Sequence, residues 1–138
     1  MNLLGRCKIV NSYVPVSSNT ALTEIEIDCT GFDRVCHIIT VGAMATGATL
    51  DYKVQDAAAT GMSGAADVTG AALTQIAAAS GASKVYAIDM PVNAARPFQK
   101  AIAAAGTDVV VSGAIAILYE GSGTFPKTAA TQDRKSVV

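Results

Sequence analysis

Aromatic residues, histidine and cysteine are all scarce in this sequence. It contains no tryptophan, one histidine and three cysteines, and aromatic residues make up 5% of the chain. Sugar-binding faces usually carry exposed aromatic side chains, so this composition argues against a carbohydrate-binding protein. An odd number of cysteines leaves one thiol unpaired, which argues against a disulfide framework.

Long apolar runs are also missing. No run reaches the ~18 residues that a membrane-spanning helix needs. The N-terminal sequence Met-Asn-Leu-Leu-Gly-Arg-Cys lacks the apolar core of a signal peptide. Together with the unpaired thiol, these absences predict a protein that is made and kept in a reducing cytoplasm, or is assembled from there.

Charged residues are few. They make up 15% of the 138 residues, against about 25% in an average soluble domain. The net charge of −1 gives no electrostatic footprint for nucleic acid, since nucleic-acid-binding domains carry clustered lysine and arginine. A chain of this length is expected to form one domain. Hydrophobic residues make up 51% of it, so we expect partners to cover part of its surface.

The strand pattern is clearest over residues 48–56. Leu50, Tyr52 and Val54 point to one side, and the polar residues between them point to the other. This alternation with a period of two residues is typical of a strand with one buried and one wet face. We expect the other strands to cover its apolar face.

Similar runs, separated by glycine, proline and serine, predict the other strands. They fall at residues 7–14, 22–29, 35–41, 84–90, 98–104 and 109–119. Residues 71–79 fit a helix by their alanines, or a strand or turn by their flanking glycines, and we assign them as irregular to strand. About eight short strands predict an all-β fold, an antiparallel β-sandwich or jelly roll with extended terminal arms.

Single residues sharpen this prediction. Pro15 ends the first strand or places it at a sheet edge, because proline lacks the ladder N–H. Gly113 indicates a bulge or a close approach of another backbone. Residues 42–47 and 106–108 are predicted hairpin turns. The run over residues 35–41 is apolar on both faces, which predicts a central strand covered on both sides.

The ends of the chain differ from its middle. We expect a loose N-terminal arm over residues 1–6, a β-sandwich domain over residues 7–121 and an extended, polar C-terminal tail over residues 122–138. The small-residue stretch over residues 57–66 is a long loop, of the kind that is commonly functional or mobile.

Few residues are candidates for catalysis or metal binding. His37 would have to serve in any Ser-His-Asp or Cys-His set, but it lies in mid-strand, where a structural histidine is the more common case. Cys7, Cys29 and Cys36 lack the spacing of a zinc site. Cys36 and His37 also point to opposite faces of a strand. We therefore predict no catalytic, metal-binding or cofactor-binding residue and no enzyme activity.

The acidic residues of the predicted second strand follow a regular pattern. Glu24, Glu26 and Asp28 alternate with the apolar residues of positions 25–29. The apolar set, which includes Ile25, is expected to face the core. The acidic set is expected to face solvent and to solubilise the protein, which is more common than binding of a calcium ion.

Three further groups have simple interpretations. Asp51 and Lys53 share a strand face and are predicted to form a weak surface ion pair. Residues 61–64 lack the lysine of a phosphate-binding loop and are interpreted as a flexible loop. The tail has three basic residues, too few to bind nucleic acid but suited to an acidic neighbouring subunit: Lys127, Arg134 and Lys135.

Three segments together resemble a known group of proteins. They are Leu-Asp-Tyr-Lys-Val-Gln-Asp at residues 50–56, Ala-Asp-Val-Thr-Gly-Ala-Ala-Leu-Thr at residues 66–74, and Arg-Pro-Phe-Gln-Lys at residues 96–100 followed by the apolar run over residues 109–119. This combination resembles small virion proteins of tailed bacteriophages and prophages, some of which look like capsid cement or decoration proteins with a jelly-roll domain. Ala66 departs from the pattern, since related chains commonly have tryptophan there.

The resemblance, over residues 22–120, implies a structural virion protein. Such a cement or decoration protein binds and stabilises the shell of the major capsid protein, lies on the capsid surface and is made in the bacterial host cytoplasm. The resemblance implies a homo-oligomer, a dimer or trimer, with no cofactor, nucleic acid or membrane partner. The alternative is a tail, neck or baseplate β-sandwich, and a carbohydrate-binding jelly roll is less favoured. The two arms are expected to order on binding.

Overall fold

The computed structural model describes residues 6–121. It contains nine strands: β1 (Cys7–Ser18), β2 (Ile27–Asp28), β3 (Arg34–Met44), β4 (Thr49–Ala57), β5 (Ala66–Ala72), β6 (Ile76–Ala77), β7 (Lys84–Pro91), β8 (Phe98–Gly106) and β9 (Val110–Tyr119). A 3-10 turn spans Thr60–Met62, and a single helical turn, α1, spans Ala78–Gly81. Of the predicted arms, residues 1–5 and 122–138 lie outside the described residues.

The strands form two antiparallel sheets. Sheet A has the order β1-β9-β3-β7, and sheet B has the order β2-β8-β4-β5 with β6 beside β4. The pairs β1–β9, β2–β8 and β3–β7 nest around the hairpin β4–β5. A long hairpin rolled up in this way is a jelly roll, so the predicted fold is confirmed. The short strand β6 brings the number of strands to nine.

The core lies between the inner faces of the two sheets. Leu50, Tyr52 and Val54 are buried on β4, as their alternation predicts. On β8 every inward residue from Ala101 to Ala105 is alanine. These small side chains leave room for the large ring of Tyr52, whose centroid lies 6.5 Å from that of Tyr13 on β1. Large and small side chains therefore complement each other across the sandwich.

Two predicted hairpins are instead arches between the sheets. The turn over residues 42–47 leads from β3 in sheet A to β4 in sheet B, and the turn over residues 106–108 leads from β8 back to β9 in sheet A. Gly47 and Thr107 have positive φ angles of 81° and 68°. Hairpins and arches both use such residues, so the local sequence indicates a turn but not the sheet that the next strand joins. The hairpin predictions were wrong.

The predicted second strand is shorter than expected. Only Ile27–Asp28 forms a ladder, and the preceding residues wrap the edge of β8. The Glu24 carboxylate accepts the Ala103 N–H at 2.9 Å, in place of a carbonyl from a neighbouring strand. Ile25 is 42% exposed. The inward position predicted for Ile25 was therefore wrong, because this segment lacks the pleat that the alternation assumes.

The predictions for Pro15 and Gly113 are confirmed. β1 is an edge strand of sheet A, and it continues past Pro15. The pairing of β1 with β9 shifts register on either side of Tyr13. A Cβ atom on Gly113 would lie 3.2 Å from the Cα of Pro15, so any other residue would push apart the two backbones that approach closely here.

The ambiguous stretch over residues 71–79 resolves into several pieces. Ala71 and Ala72 complete β5, Ile76–Ala77 forms β6 against β4, and α1 follows. The predicted strands at residues 84–90, 98–104 and 109–119 are confirmed as β7, β8 and β9. β3 is central in sheet A, as predicted, but within residues 6–121 no second layer covers its outward side chains.

Candidate interaction surface

The register of sheet A places aliphatic side chains on its outer face. Ile38 on β3 stands opposite Ile115 on β9 and Ala87 on β7, and Ile117 on β9 stands opposite Ile9 on β1. Neighbouring positions along each strand face the core. Along β3 and β9 the outward positions include a single charged residue, Arg34, at one end. We call this surface the outer face of sheet A.

The most exposed apolar side chains of the described region belong to this surface or border it. Val85 is 66% exposed, Val14 53% and Val111 42%. Ile25 stands at the border because its N–H donates to the Ser12 carbonyl of β1 at 2.8 Å. Contiguous exposed apolar surface of this kind marks interaction sites. The full set is Val14, Val16, Ile25, Val85, Val109 and Val111.

A groove of about 410 Å³ crosses the outer face of sheet A. Its floor passes over Gly42 and Gly113, which contribute no side chains, and its walls include Pro15, Ile38 and Val111. A Cβ atom on Gly42 would lie 3.4 Å from the Val111 Cγ1 atom. Because the walls are mainly aliphatic, the groove suits apolar side chains rather than a polar ligand.

Polar residues border one end of the outer face of sheet A. Arg34 Nη2 lies 3.1 Å from Asp89 Oδ2, the Tyr119 hydroxyl donates to Asp89 Oδ1 at 2.7 Å, and Arg34 Nε donates to the same hydroxyl at 3.0 Å. The hydrogen bond from Tyr119, followed by that from Arg34, lowers the pKa of Asp89. An apolar centre with a polar border is the usual anatomy of a protein interface.

The outer face of sheet B is charged. Lys53 Nζ and Gln55 Nε2 donate to the two carboxylate oxygens of Asp67 at 2.8 and 2.7 Å, and these bonds lower the pKa of Asp67. Asp51 accepts two hydrogen bonds from Gln75 at 3.0 and 3.1 Å. The predicted pair between Asp51 and Lys53 was wrong, because each side chain reaches a partner on the neighbouring chain segment, which is closer than the next residue on its own strand face.

Side chains from outside the loop between β4 and β5 hold it in place. Glu26 accepts hydrogen bonds from Thr60 Oγ1 and from the Gly61 N–H, both at 2.7 Å. Arg96 Nε forms an ion pair of 2.6 Å with Asp56 at the base of the loop. The sequence predicted only a solubilising role for Glu26, and that prediction was incomplete, because its carboxylate also fixes this loop. Its carboxylate already accepts the hydrogen bond of the Gly61 N–H, which a phosphate bound at this loop would need.

His37 is an interior residue, which is one of the two structural positions, core or edge, that its place in mid-strand left open. It has no exposed surface, its Nε2 atom lies 2.9 Å from Gln99 Oε1, and its Nδ1 atom lies 3.3 Å from the Tyr52 hydroxyl. Ser12 Oγ continues this chain at 3.3 Å from the same hydroxyl. Burial lowers the pKa of His37 against the opposing effect of its bond to Gln99. The neutral imidazole accepts from Tyr52 and donates to Gln99.

The cysteines are separated in the structure. Cys7 and Cys29 are buried, and Cys36 is half-buried on the outer face of sheet A while His37 points inward, as predicted. Burial raises the pKa of the Cys29 thiol to about 12. Within residues 6–121, no three side chains of histidine, cysteine, aspartate or glutamate come together as a metal site. None of the helices in that range is long and apolar enough to cross a bilayer.

Comparison with known proteins gives similarity among solved structures only. No protein-family model and no curated protein matches the sequence. Among solved structures, the chain aligns with one from the structure of infectious bursal disease virus, Gx strain, with a TM-score of 0.49 and 10% sequence identity. The alignment covers 88% of this chain and 33% of that chain, so this chain spans about a third of the length of the one it matches.

Proposed function

We propose that this protein is a structural virion protein of a tailed bacteriophage or prophage, a cement or decoration protein whose outer face of sheet A binds the major capsid protein. The outer face of sheet A is the observation that carries the proposal. It combines exposed valines, a mainly aliphatic groove and a polar border on a two-sheet sandwich. The resemblance of three sequence segments to phage virion proteins supports the same assignment.

The size of the apolar contact favours a many-site binding mode. Burying a valine side chain contributes about 1.5–3 kcal/mol. Val14, Val85 and Val111 are 53%, 66% and 42% exposed, so burying what remains of them would contribute roughly 2–5 kcal/mol before the cost of association, which is itself about 4–15 kcal/mol. A single contact is consequently weak. Several contacts across adjacent capsid subunits, made by one oligomer, add into tight binding that depends on the geometry of the shell.

A non-catalytic role agrees with the positions of the reactive side chains. His37 is enclosed between the sheets with no exposed surface, so it cannot touch a substrate. Glu24 and Glu26 bind main-chain N–H groups of β8 and of the loop after β4. We propose that these residues hold the sandwich in a fixed shape, which is what a protein that bridges capsid subunits needs.

Co-sedimentation with capsids of the phage that encodes the protein tests the proposal. The Val85→Asp/Val111→Asp variant should bind at least about 100-fold more weakly, because it removes two apolar contacts and buries carboxylates. The control is Ile102→Asp, which places one carboxylate on the outer face of sheet B. Equal binding by the two variants would contradict the assignment of the binding face.

The copy number in the native particle separates the proposed role from the alternative. Quantitative mass spectrometry of purified virions should give a ratio to the major capsid protein close to that of a shell component. A few copies per particle would instead assign the protein to the tail, neck or baseplate. Absence from virions would overturn both assignments.

A further inference from the structure

The chain covers the edges of its two sheets unequally. The edge of β8 is covered by β2 and by the Glu24 carboxylate, which accepts the Ala103 N–H. The edge of β1 is interrupted by Pro15 and covered near Ser12, whose carbonyl accepts the Ile25 N–H. Within residues 6–121, the terminal strands are β1 and β7 in sheet A and β2 and β5 in sheet B. Since β1 is interrupted and β2 has only two residues, β5 and β7 are the uninterrupted edges of useful length.

These two open edges differ in regularity. The pairing of β5 with β4 shifts register, and Gly70 within β5 has a φ of 81°. β7 instead pairs with β3 over eight consecutive positions, from Lys84–Val41 to Pro91–Arg34, without a bulge. A long regular edge strand presents unpaired N–H and C=O groups as a template for another strand. β7 is therefore the edge most ready to accept one.

The centre of β7 has the composition of a paired strand. Val85, Tyr86, Ala87 and Ile88 are uncharged and are mostly residues of high strand propensity. Natural edge strands usually carry a charge or a proline at the centre of an open edge, to prevent pairing. On β7 these residues stand toward the ends, as Lys84, Asp89 and Pro91. The centre is consequently left open to a partner.

The sequence of β7 fits pairing with a second copy of the same chain. Lys84 begins the strand and Asp89 lies near its end. When two β7 strands run antiparallel about Ala87, Lys84 of each stands beside Met90 of the other and Asp89 beside Val85, so like charges lie at opposite ends of the paired strands. A parallel arrangement would bring like charges together. With Ala87 on the two-fold axis, Tyr86 stands opposite Ile88 of the second copy, an aromatic–aliphatic pair that favours association.

We infer that β7 pairs antiparallel with β7 of a second copy about a two-fold axis. The two four-stranded sheets A then form one continuous sheet. Such an interface uses the same residues on both subunits and closes as a dimer. The pairing joins the two outer faces of sheet A side by side and places Val85, the most exposed apolar side chain, at the seam. It stands independently of capsid binding.

Sedimentation and cross-linking of the full chain test this inference. Analytical ultracentrifugation over a range of concentrations should show a monomer–dimer equilibrium. The Ala87→Lys variant places two like charges beside the axis and should weaken the dimer at least about tenfold. Dimerisation that Ala87→Lys leaves unchanged would overturn the inference, and so would a monomer at every concentration.

A cysteine variant tests the register without relying on Ala87→Lys to fold. In the inferred dimer the two Ala87 Cβ atoms lie about 4.5–5.5 Å apart, so oxidised Ala87→Cys should form a disulfide-linked dimer. The matched control is Thr69→Cys on the other open edge, β5, which should remain monomeric under the same oxidation, as should the unmodified chain. Equal cross-linking of Thr69→Cys and Ala87→Cys, or none in Ala87→Cys, would overturn the inference.

Discussion

The two outer faces of this jelly roll are built from strands of the same kind and carry opposite chemistry. On sheet B, the charged groups Lys53 and Asp67 bond to each other, and Asp51 bonds to Gln75. On sheet A, aliphatic side chains such as Ile38 and Ile115 surround a groove. Folding requires only that the inner faces be apolar. The difference between the outer faces therefore agrees with the proposal that the outer face of sheet A binds a partner.

The largest expected effect is a difference in the free energy of unfolding between variants on the inner face and variants on the outer face of sheet A. Ile39 has no exposed surface, so Ile39→Ala should lower the free energy of unfolding by about 2–5 kcal/mol. Ile115 on the outer face is half-buried, so Ile115→Ala should cost about 1 kcal/mol or less. Urea unfolding followed by circular dichroism measures both. An equal cost would mean that the outer face of sheet A is retained for folding rather than for contact.

Acid should lower the stability of the whole sandwich, because the two sheets share one core and that core contains His37. Unfolded His37 takes up a proton below its ordinary pKa of 6.5, while burial keeps the native imidazole neutral to lower pH. Stability is then complete above pH 6.5. It falls as the pH drops below this value, by at most about 1.4 kcal/mol per pH unit, until the lowered native pKa is reached.

Urea titrations between pH 7.5 and 5.0 measure this slope. The His37→Gln variant keeps polar atoms near Gln99 and removes the titration, so its stability should be flat over the same range. Asp67 and Asp89, whose pKa values are lowered, lose their contribution only below about pH 4 and do not interfere. A wild-type protein with no slope would contradict the enclosed position of His37.

A smaller effect distinguishes two glycines of the groove. A methyl group on Gly113 would lie 3.1 Å from Pro15 Cγ and 3.2 Å from its Cα, so the backbone of β1 must move. Gly113→Ala should therefore destabilise the protein by about 1 kcal/mol. The cost of overpacking exceeds the benefit that alanine brings by losing less conformational entropy than glycine on folding. Gly42→Ala meets Val111 in ordinary van der Waals contact, 3.4 Å from its Cγ1 atom and 3.5 Å from its carbonyl oxygen, and is the control, with no loss of stability. Equal stability of the two variants would contradict the close approach at Gly113.

The predictable features of this fold are those that local geometry determines. The alternation over residues 50–54 identified the inner face of β4, because successive side chains of a strand point to opposite sides. Pro15 indicated an edge and Gly113 a close approach, because each residue restricts or permits a particular backbone arrangement. The place of His37 in mid-strand indicated a structural histidine but left a core and an edge position open.

The features that sequence reasoning missed depend on which segments meet. The turn at Gly47 is an arch because β4 pairs with β8, a partner far away in the sequence. Asp51 and Lys53 bond to other partners for the same reason. The run over residues 35–41 was apolar on both faces, which indicated covering on both sides. The side chains of β3 are indeed apolar on both faces. The sequence alone does not tell whether the chain itself or a partner would cover the outer one.

The smallest effect concerns the ion pair of sheet B. The side chains of Lys53 and Asp67 are 41% and 56% exposed, so water and salt screen their attraction. Lys53→Met should leave the unfolding midpoint unchanged in physiological salt and should leave capsid binding intact. It should raise the pKa of Asp67 measured by NMR, because the bond from Lys53 is the main cause of its lowering. Loss of capsid binding in this variant would show that the charged face takes part in docking, and the contrast between the two faces would then no longer identify sheet A as the binding side.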